Sequence, residues 1–284
     1  MSLENYAEKV KKYYKATEWA FQTVWTGKED QALHFGLYDK PNMTHAESLL
    51  RTNEIMADLV GVEAGDVVVD AGCGYGGTTV WLAKERQCNT IGINIVEPHL
   101  EKARQHAKNK GVEDRVNFLL EDFTNTSVED SSADIFWSME ASVQAVDRLA
   151  LFREAYRILK PGGKLILVEY FVNHDPYAEH EDIVGYDTIL DGGAMPSLWH
   201  LPDYMKGLEE AGFSNVRYED YTKEVLPSFR RMHKMLVAVL PTTRLLLKLK
   251  MYNPMRVGHN ESCLHLANGY FRSQFRYCAV LANK

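Results

Sequence analysis

Val67-Val68-Val69-Asp70-Ala71-Gly72-Cys73-Gly74-Tyr75-Gly76-Gly77-Thr78-Thr79 is the stretch that decides the fold. β-Branched residues run straight into an acid and a cluster of glycines, and Val80, Leu82 and Ala83 follow at helical spacing. That pattern is a buried strand, a tight turn and a helix N-terminus. Glycines at 72, 74, 76 and 77 remove the Cβ atoms that would keep a ligand off the backbone. The N–H groups that open the helix are then expected to face a polar or anionic group.

Gly72, Gly74 and Gly77 satisfy the G-x-G-x-x-G spacing of dinucleotide binders, a weak signal by itself. A glycine turn that binds nothing, an NAD site and an S-adenosylmethionine site would all contain it. An NAD site places an apolar residue where Asp70 stands, and a carboxylate there would repel a pyrophosphate. It can instead accept hydrogen bonds, directly or through water, from the ammonium of a methionine moiety. The next strand, Asn89 to Asn94, ends in an amide rather than the acid that NAD sites use for the ribose. Both departures favour S-adenosylmethionine as the cofactor, with S-adenosylhomocysteine as its product.

Downstream, strands at 90–94, 116–120, 133–138 and 164–170 alternate with helical patterns at 97–110 and 148–159. Strands separated by helical lengths mean right-handed crossovers and a parallel sheet. The expected fold is an α/β, Rossmann-like sheet of seven strands, mostly parallel with the last antiparallel, and helices on both faces. Residues 1–43 are expected to form an N-terminal helical cap on a domain spanning 44–284. Thr44 and Glu47 give a capping box for a helix running to about Leu59.

With 284 residues, 45% of them hydrophobic and 25% charged, the chain can bury a full core. Its net charge of −7 argues against nucleic acid as a partner. Cys73, Cys88, Cys263 and Cys278 show no metal-ligand spacing, so free thiols, a reducing compartment and no metal are expected. The N-terminus carries no basic segment followed by an apolar run, and the cytoplasm is the expected location. From Phe229 to Arg256 there is no acid, and basic residues alternate with aliphatics. Such a segment is either a lid helix with solvated lysines or a surface that contacts an anionic membrane or a diphosphate. Self-association is left open.

Asp70-Ala71-Gly72-Cys73-Gly74-Tyr75-Gly76-Gly77 resembles motif I of the class I, Rossmann-like methyltransferases. Ala133 to Ser142, Asp147-Arg148, Phe152 to Gly163, Val168-Glu169-Tyr170 and Ile189 to Pro196 resemble the sterol C-24 methyltransferases, a frame shared with geranyl diphosphate and tocopherol methyltransferases. The likeness runs from about residue 30 to 222. Sterol enzymes follow their Glu-Ala segment with Cys-His, where this chain has Val143-Gln144, and they carry further asparagines where it has Asn94-Ile95-Val96.

The cofactor is therefore expected on Asp70, Gly72, Gly74 and Gly76, with Asn94, Ile95 and His99 near the ribose. Asp122 and Phe123 are expected at the adenine side, the acid accepting from the amino group and the phenyl covering the ring, and Met139 is expected among the cofactor-binding residues. The resemblance implies a hydrophobic small-molecule substrate, an isoprenoid alkene whose methylation leaves a carbocation. Aromatic faces or carboxylates would stabilise that cation and a base would take its proton. Glu140 and Glu169, at the carboxyl ends of strands, and His180, in the insertion after strand five, are the catalytic candidates. Tyr13, Tyr14, Trp25, His34, Tyr38, Tyr170 and Tyr186 are the expected pocket residues. Lid insertions are expected at about 171–200 and 225–265. An N- or O-methyltransferase of an amphipathic natural product is the alternative.

Overall fold

The structure, a computed structural model, describes residues 3–26, 30–173 and 183–284. Strands β1 (Val67–Ala71), β2 (Asn89–Asn94), β3 (Val116–Leu120), β4 (Ala133–Met139), β5 (Leu159–Val172), β6 (Ser214–Asp220) and β7 (Phe275–Asn283) form one sheet, ordered β3-β2-β1-β4-β5-β7-β6. β1 to β5 pair in parallel, and β7 runs antiparallel to both β5 and β6. The expected sheet is the observed one. Its order reverses between β1 and β4, which opens a crevice at the carboxyl ends of the strands, where sheets of this kind hold ligands.

Two-residue alternation along the central strands builds a core on each face. Val68, Trp137, Ile166, Val168 and Ala279 pack into one buried cluster, and Val69, Phe136, Leu165, Leu167 and Val280 into the other. The first face is covered by α2 (His45–Val60), α8 (Thr222–Lys248) and α9 (Pro254–Phe271), the second by α5 (Arg148–Ile158) and α7 (Leu201–Glu210). The capping box at α2 is present: Thr44 accepts from the Glu47 N–H at 3.2 Å, and Glu47 accepts from the Thr44 N–H at 2.7 Å.

α3 (Gly77–Glu85) follows the glycine turn, and α4 (Glu97–Lys110) follows β2. The N-terminal segment is one helix, α1 (Leu3–Ala20), that loosens into a π-helical turn at Phe21–Trp25. β5 continues to Val172 with Phe171 and Val172 buried, so the first insertion begins two residues later than the sequence suggested. That insertion includes α6 (Tyr186–Gly192), which crosses α9 closely: a Cβ on Gly192 would lie 2.1 Å from the Gly258 carbonyl. Segment 229–256 is most of α8, which carries Pro227 and Pro241, and the turn into α9. No helix among the described residues is long and apolar enough to cross a membrane.

Candidate functional site

A cavity of about 430 Å³ sits over the carboxyl ends of β1, β2, β3 and β4, roofed by α1, α8 and α9. Its floor is the glycine turn. Gly72 stands there at φ +85°, and a Cβ on it would come within 2.2 Å of the Ala141 Cβ, so the backbone needs glycine for both torsion and space. Gly74, Asn94, Ile95, His99, Asp122, Phe123 and Met139 complete the floor as the sequence suggested.

Several expected contacts are made differently. The Gly72 and Cys73 N–H groups both donate to the Ile93 carbonyl, at 2.9 and 3.0 Å, rather than standing free for a ligand. The start of α3 is covered by the chain at Asp30 and Gln31, whose backbone lies 2.7–2.8 Å from where a Gly77 Cβ would stand. Asp70 does not line the cavity. Two residues after Val68 on β1, it shares that residue's face and meets α3, where it accepts from the Thr79 hydroxyl at 2.5 Å and from the Thr79 N–H. Burial pushes its carboxyl up to about 6 against those two bonds. Gly76 is not in the floor either; it caps α3 at φ +76° and packs against Ala103 and Phe118.

The floor still suits the sulfonium cofactor. His99 is buried, lines the cavity and leaves its Nε2 without a hydrogen-bond partner, while Tyr14 and Tyr75 meet its ring edge-on. Burial and the Lys102 charge push it down to about 3, so it is a neutral donor or acceptor for a hydroxyl or carboxylate. Asp122 commits Oδ1 to the Thr124 N–H and hydroxyl at the exposed end of β3, beside Phe123.

Glu140 is the acid of the interior wall; the other lining acids, Asp122 and Asp147, are exposed. It follows β4 with φ +54°, a strained torsion that turns its carboxylate into the cavity. Oε1 accepts from the Phe35 N–H at 2.7 Å and from the Tyr277 hydroxyl at 2.6 Å. Burial raises its carboxyl to about 8, although both donors favour the charged form, and Glu169 pushes the same way as burial.

Glu169 itself turns away from the cavity. Strand neighbours point to opposite faces, so Tyr170 lines the cavity and Glu169 faces α7. Its carboxylate accepts from the Val143 N–H at 2.9 Å, the Ser142 hydroxyl at 3.1 Å and its neighbour's N–H, which makes it a positioning group for the turn after β4. Buried Arg148 ties the same turn to the insertion through the Ser142, Val143 and Ser197 carbonyls.

Of the expected pocket residues, Tyr13, Tyr14, Trp25 and Tyr170 line the cavity. His34 does not: it is buried outside the lining with Nδ1 3.0 Å from the Phe35 carbonyl. Tyr38 lies against the first turn of α8, its N–H donating to the Glu224 carbonyl at 2.9 Å. Tyr186 packs on the core, its hydroxyl accepting from the Leu198 N–H at 3.4 Å. His180 lies outside the described residues.

The sequence reading missed much of the roof. Tyr13 and His259, 246 residues apart, meet with the hydroxyl 2.8 Å from Nδ1, and Cys263 sits beside them. Burial pushes His259 down to about 4. Tyr14 donates to Gln144 at 2.9 Å, and Tyr170 donates to the Met195 sulfur at 2.9 Å. Tyr277 reaches Glu140 because β7 pairs it directly with Tyr170, a register only the antiparallel strand supplies. All four cysteines are free, and the described residues hold no group of three His, Cys, Asp or Glu side chains placed to share a metal.

A methyltransferase-domain family model matches residues 69–167, which cover β1 through most of β5. The 27-O-demethylrifamycin SV methyltransferase of Amycolatopsis mediterranei is 30% identical over 199 residues, 70% of this chain and 72% of that one. The sterol 24-C-methyltransferase of Saccharomyces cerevisiae is 29% identical over 221 residues, 77% of this chain and 56% of the yeast enzyme's length. Among solved structures, the cyclase SpnF superposes with a TM-score of 0.83 at 20% identity over 98% of this chain and 96% of that one, a likeness of fold. With the glycine floor and the strand ends in place, these matches settle the family: the chain belongs to the S-adenosylmethionine-dependent methyltransferases of Rossmann-like fold.

Proposed function

We propose that the protein methylates an alkene carbon of an isoprenoid small molecule, sterol-like or terpenoid, through a carbocation. The observation that carries this reading is Glu140, a half-buried residue whose carboxylate faces a chamber of aromatic rings and thioethers. The bound cofactor supplies a methyl group already activated on a sulfonium, so the protein's work is positioning and exclusion of water. Tyr13, Phe21, Trp25 and Tyr170, with Met195 and Met232, shape a cavity that takes an apolar acceptor and presents ring faces to a cation.

When the alkene carbon takes the methyl, the C–S bond breaks and the neighbouring carbon is left positive. A positive charge brought beside Glu140 favours loss of its own proton to solvent before transfer, and the Tyr277 and Phe35 donors stabilise the carboxylate so formed. The carboxylate then holds the cation and accepts the proton whose loss forms the new alkene. The yeast relative is named for methylation of a sterol at carbon 24, which supports a carbon acceptor.

A second reading rests on the Tyr13–His259 pair. A neutral imidazole bonded to a phenol at the cavity wall can draw a proton from an acceptor hydroxyl, and the rifamycin relative is named for an oxygen position. Mass spectrometry on sterols, prenyl diphosphates, prenylated indoles and phenols, and simple amines, with Glu140→Gln and His259→Ala beside the wild type, separates the two. Carbon methylation lost in Glu140→Gln supports the alkene reading. Methylation of hydroxyls or amines that survives Glu140→Gln and is lost in His259→Ala replaces it with the second.

A further inference from the structure

We infer that the exposed face of α8 and the turn into α9 form a docking face for an anionic lipid bilayer. Arg230, Lys234, Val237, Pro241, Leu245 and Lys248 follow one another at three- and four-residue intervals, so they share one face of α8. Each is exposed, with Leu245 at 57%. Beyond the helix Leu249 and Met251 are open to 58% and 71%, an unusual cost to leave in water.

The charge on this face is complementary to lipid headgroups. Between 229 and 256 there are seven Lys and Arg residues and no acid, in a chain whose formal charge is −7. Arg244 pairs with Glu261 at 2.8 Å, Arg231 donates to the Val24 carbonyl, and Arg256 to that of Ala16. Arg230, Lys234, Lys248 and Lys250 have no ion-pair partner among the described residues. A bilayer accepts both kinds of side chain at once, aliphatics below the headgroups and ammonium groups among them.

The cavity lies on the other side of α8: Met232, Met235, Leu236 and Val239, which line it, stand about half a turn from Val237 and Leu245. Val239 of α8, with Trp19 and Val24 of the N-terminal segment, is both exposed and part of the cavity lining. The inference extends the reading of an apolar substrate, but vesicle binding is measured without substrate or cofactor, so the two fail separately.

The test is co-sedimentation of the full chain with vesicles of phosphatidylcholine alone and of phosphatidylcholine mixed with phosphatidylglycerol. The wild type is expected to sediment with the anionic vesicles, less so as salt rises, and weakly with the neutral ones. Lys248→Glu with Lys250→Glu should lower partitioning by ~10-fold or more. Leu245→Ser with Leu249→Ser and Met251→Ser should also lower it, with melting temperatures unchanged because every altered side chain is exposed. Absence of wild-type binding to anionic vesicles, or equal binding by the charge-reversed variant, overturns the inference. A concentration-dependent dimer abolished by the serine variant, without vesicle binding, overturns it as well and assigns the face to a second copy of the chain.

Discussion

The floor and the roof of the cavity are built by different means. The floor comes from residues 72–141, the ends of adjacent parallel strands, and its shape is set by backbone: a glycine at positive φ, an absent Cβ, N–H groups fixed on the Ile93 carbonyl. The roof comes from α1, α8 and α9, and its shape is set by side chains that meet across long stretches of sequence, as Tyr13 and His259 do. A backbone-built floor suits a cofactor common to a whole family. A side-chain roof can change with the acceptor while the fold stays the same.

The largest expected effect breaks the floor and leaves the roof intact. Gly72→Val places two methyls where even a Cβ would lie 2.2 Å from Ala141, and calorimetry should show S-adenosylhomocysteine affinity reduced by ~100-fold or more. Glu140→Gln, at the seam between the two, should slow turnover by ~100-fold or more while changing that affinity by less than about threefold. Equal losses of affinity in the two variants would erase the distinction between floor and roof.

The same carboxyl gives a pH signature. Burial raises Glu140 to about 8 and Glu169 to about 7, so each stays protonated in the folded chain at pH values where the unfolded chain has released the proton. Each therefore contributes stability that is complete below the ordinary carboxylate range and is lost as pH rises through its folded value. Thermal melts of the free protein should fall between pH 5 and pH 8.5, and Glu140→Gln should flatten part of that fall, melting about 3 °C above the wild type at pH 8.5.

Smaller effects sharpen the contrast. Tyr13→Phe removes a buried bond in the roof and should cost about 1–2 kcal/mol in denaturant unfolding, with cofactor affinity retained. Thr79→Val leaves the Asp70 carboxylate one donor short beneath the floor and should cost about 1 kcal/mol, with a slight loss of cofactor affinity because the turn is held less firmly.

This division also explains what the sequence could disclose. The strand-turn-helix, the parallel strands and the glycine turn rest on local pattern, and Gly72, Gly74, Asn94, Asp122 and Met139, expected at the cofactor, line the cavity. Asp70 and Glu169 stand outside the cavity lining: the Thr79 hydroxyl draws Asp70 onto α3, and strand alternation puts Glu169 on the face opposite Tyr170. Tyr277 and His259 gave no local sign, because one depends on the register of the antiparallel strand and the other on how α9 crosses α1. Long-range pairing of that kind is absent from any single window of the chain.

The most direct measurement is transfer from a cofactor carrying a carbon-13 methyl group, with the shift of the transferred carbon read by NMR in the product that the acceptor panel yields. The account predicts a methyl bound to carbon on an isoprenoid skeleton, with its signal lost in Glu140→Gln. A signal confined to methyl groups on oxygen or nitrogen, unchanged by Glu140→Gln, would contradict it.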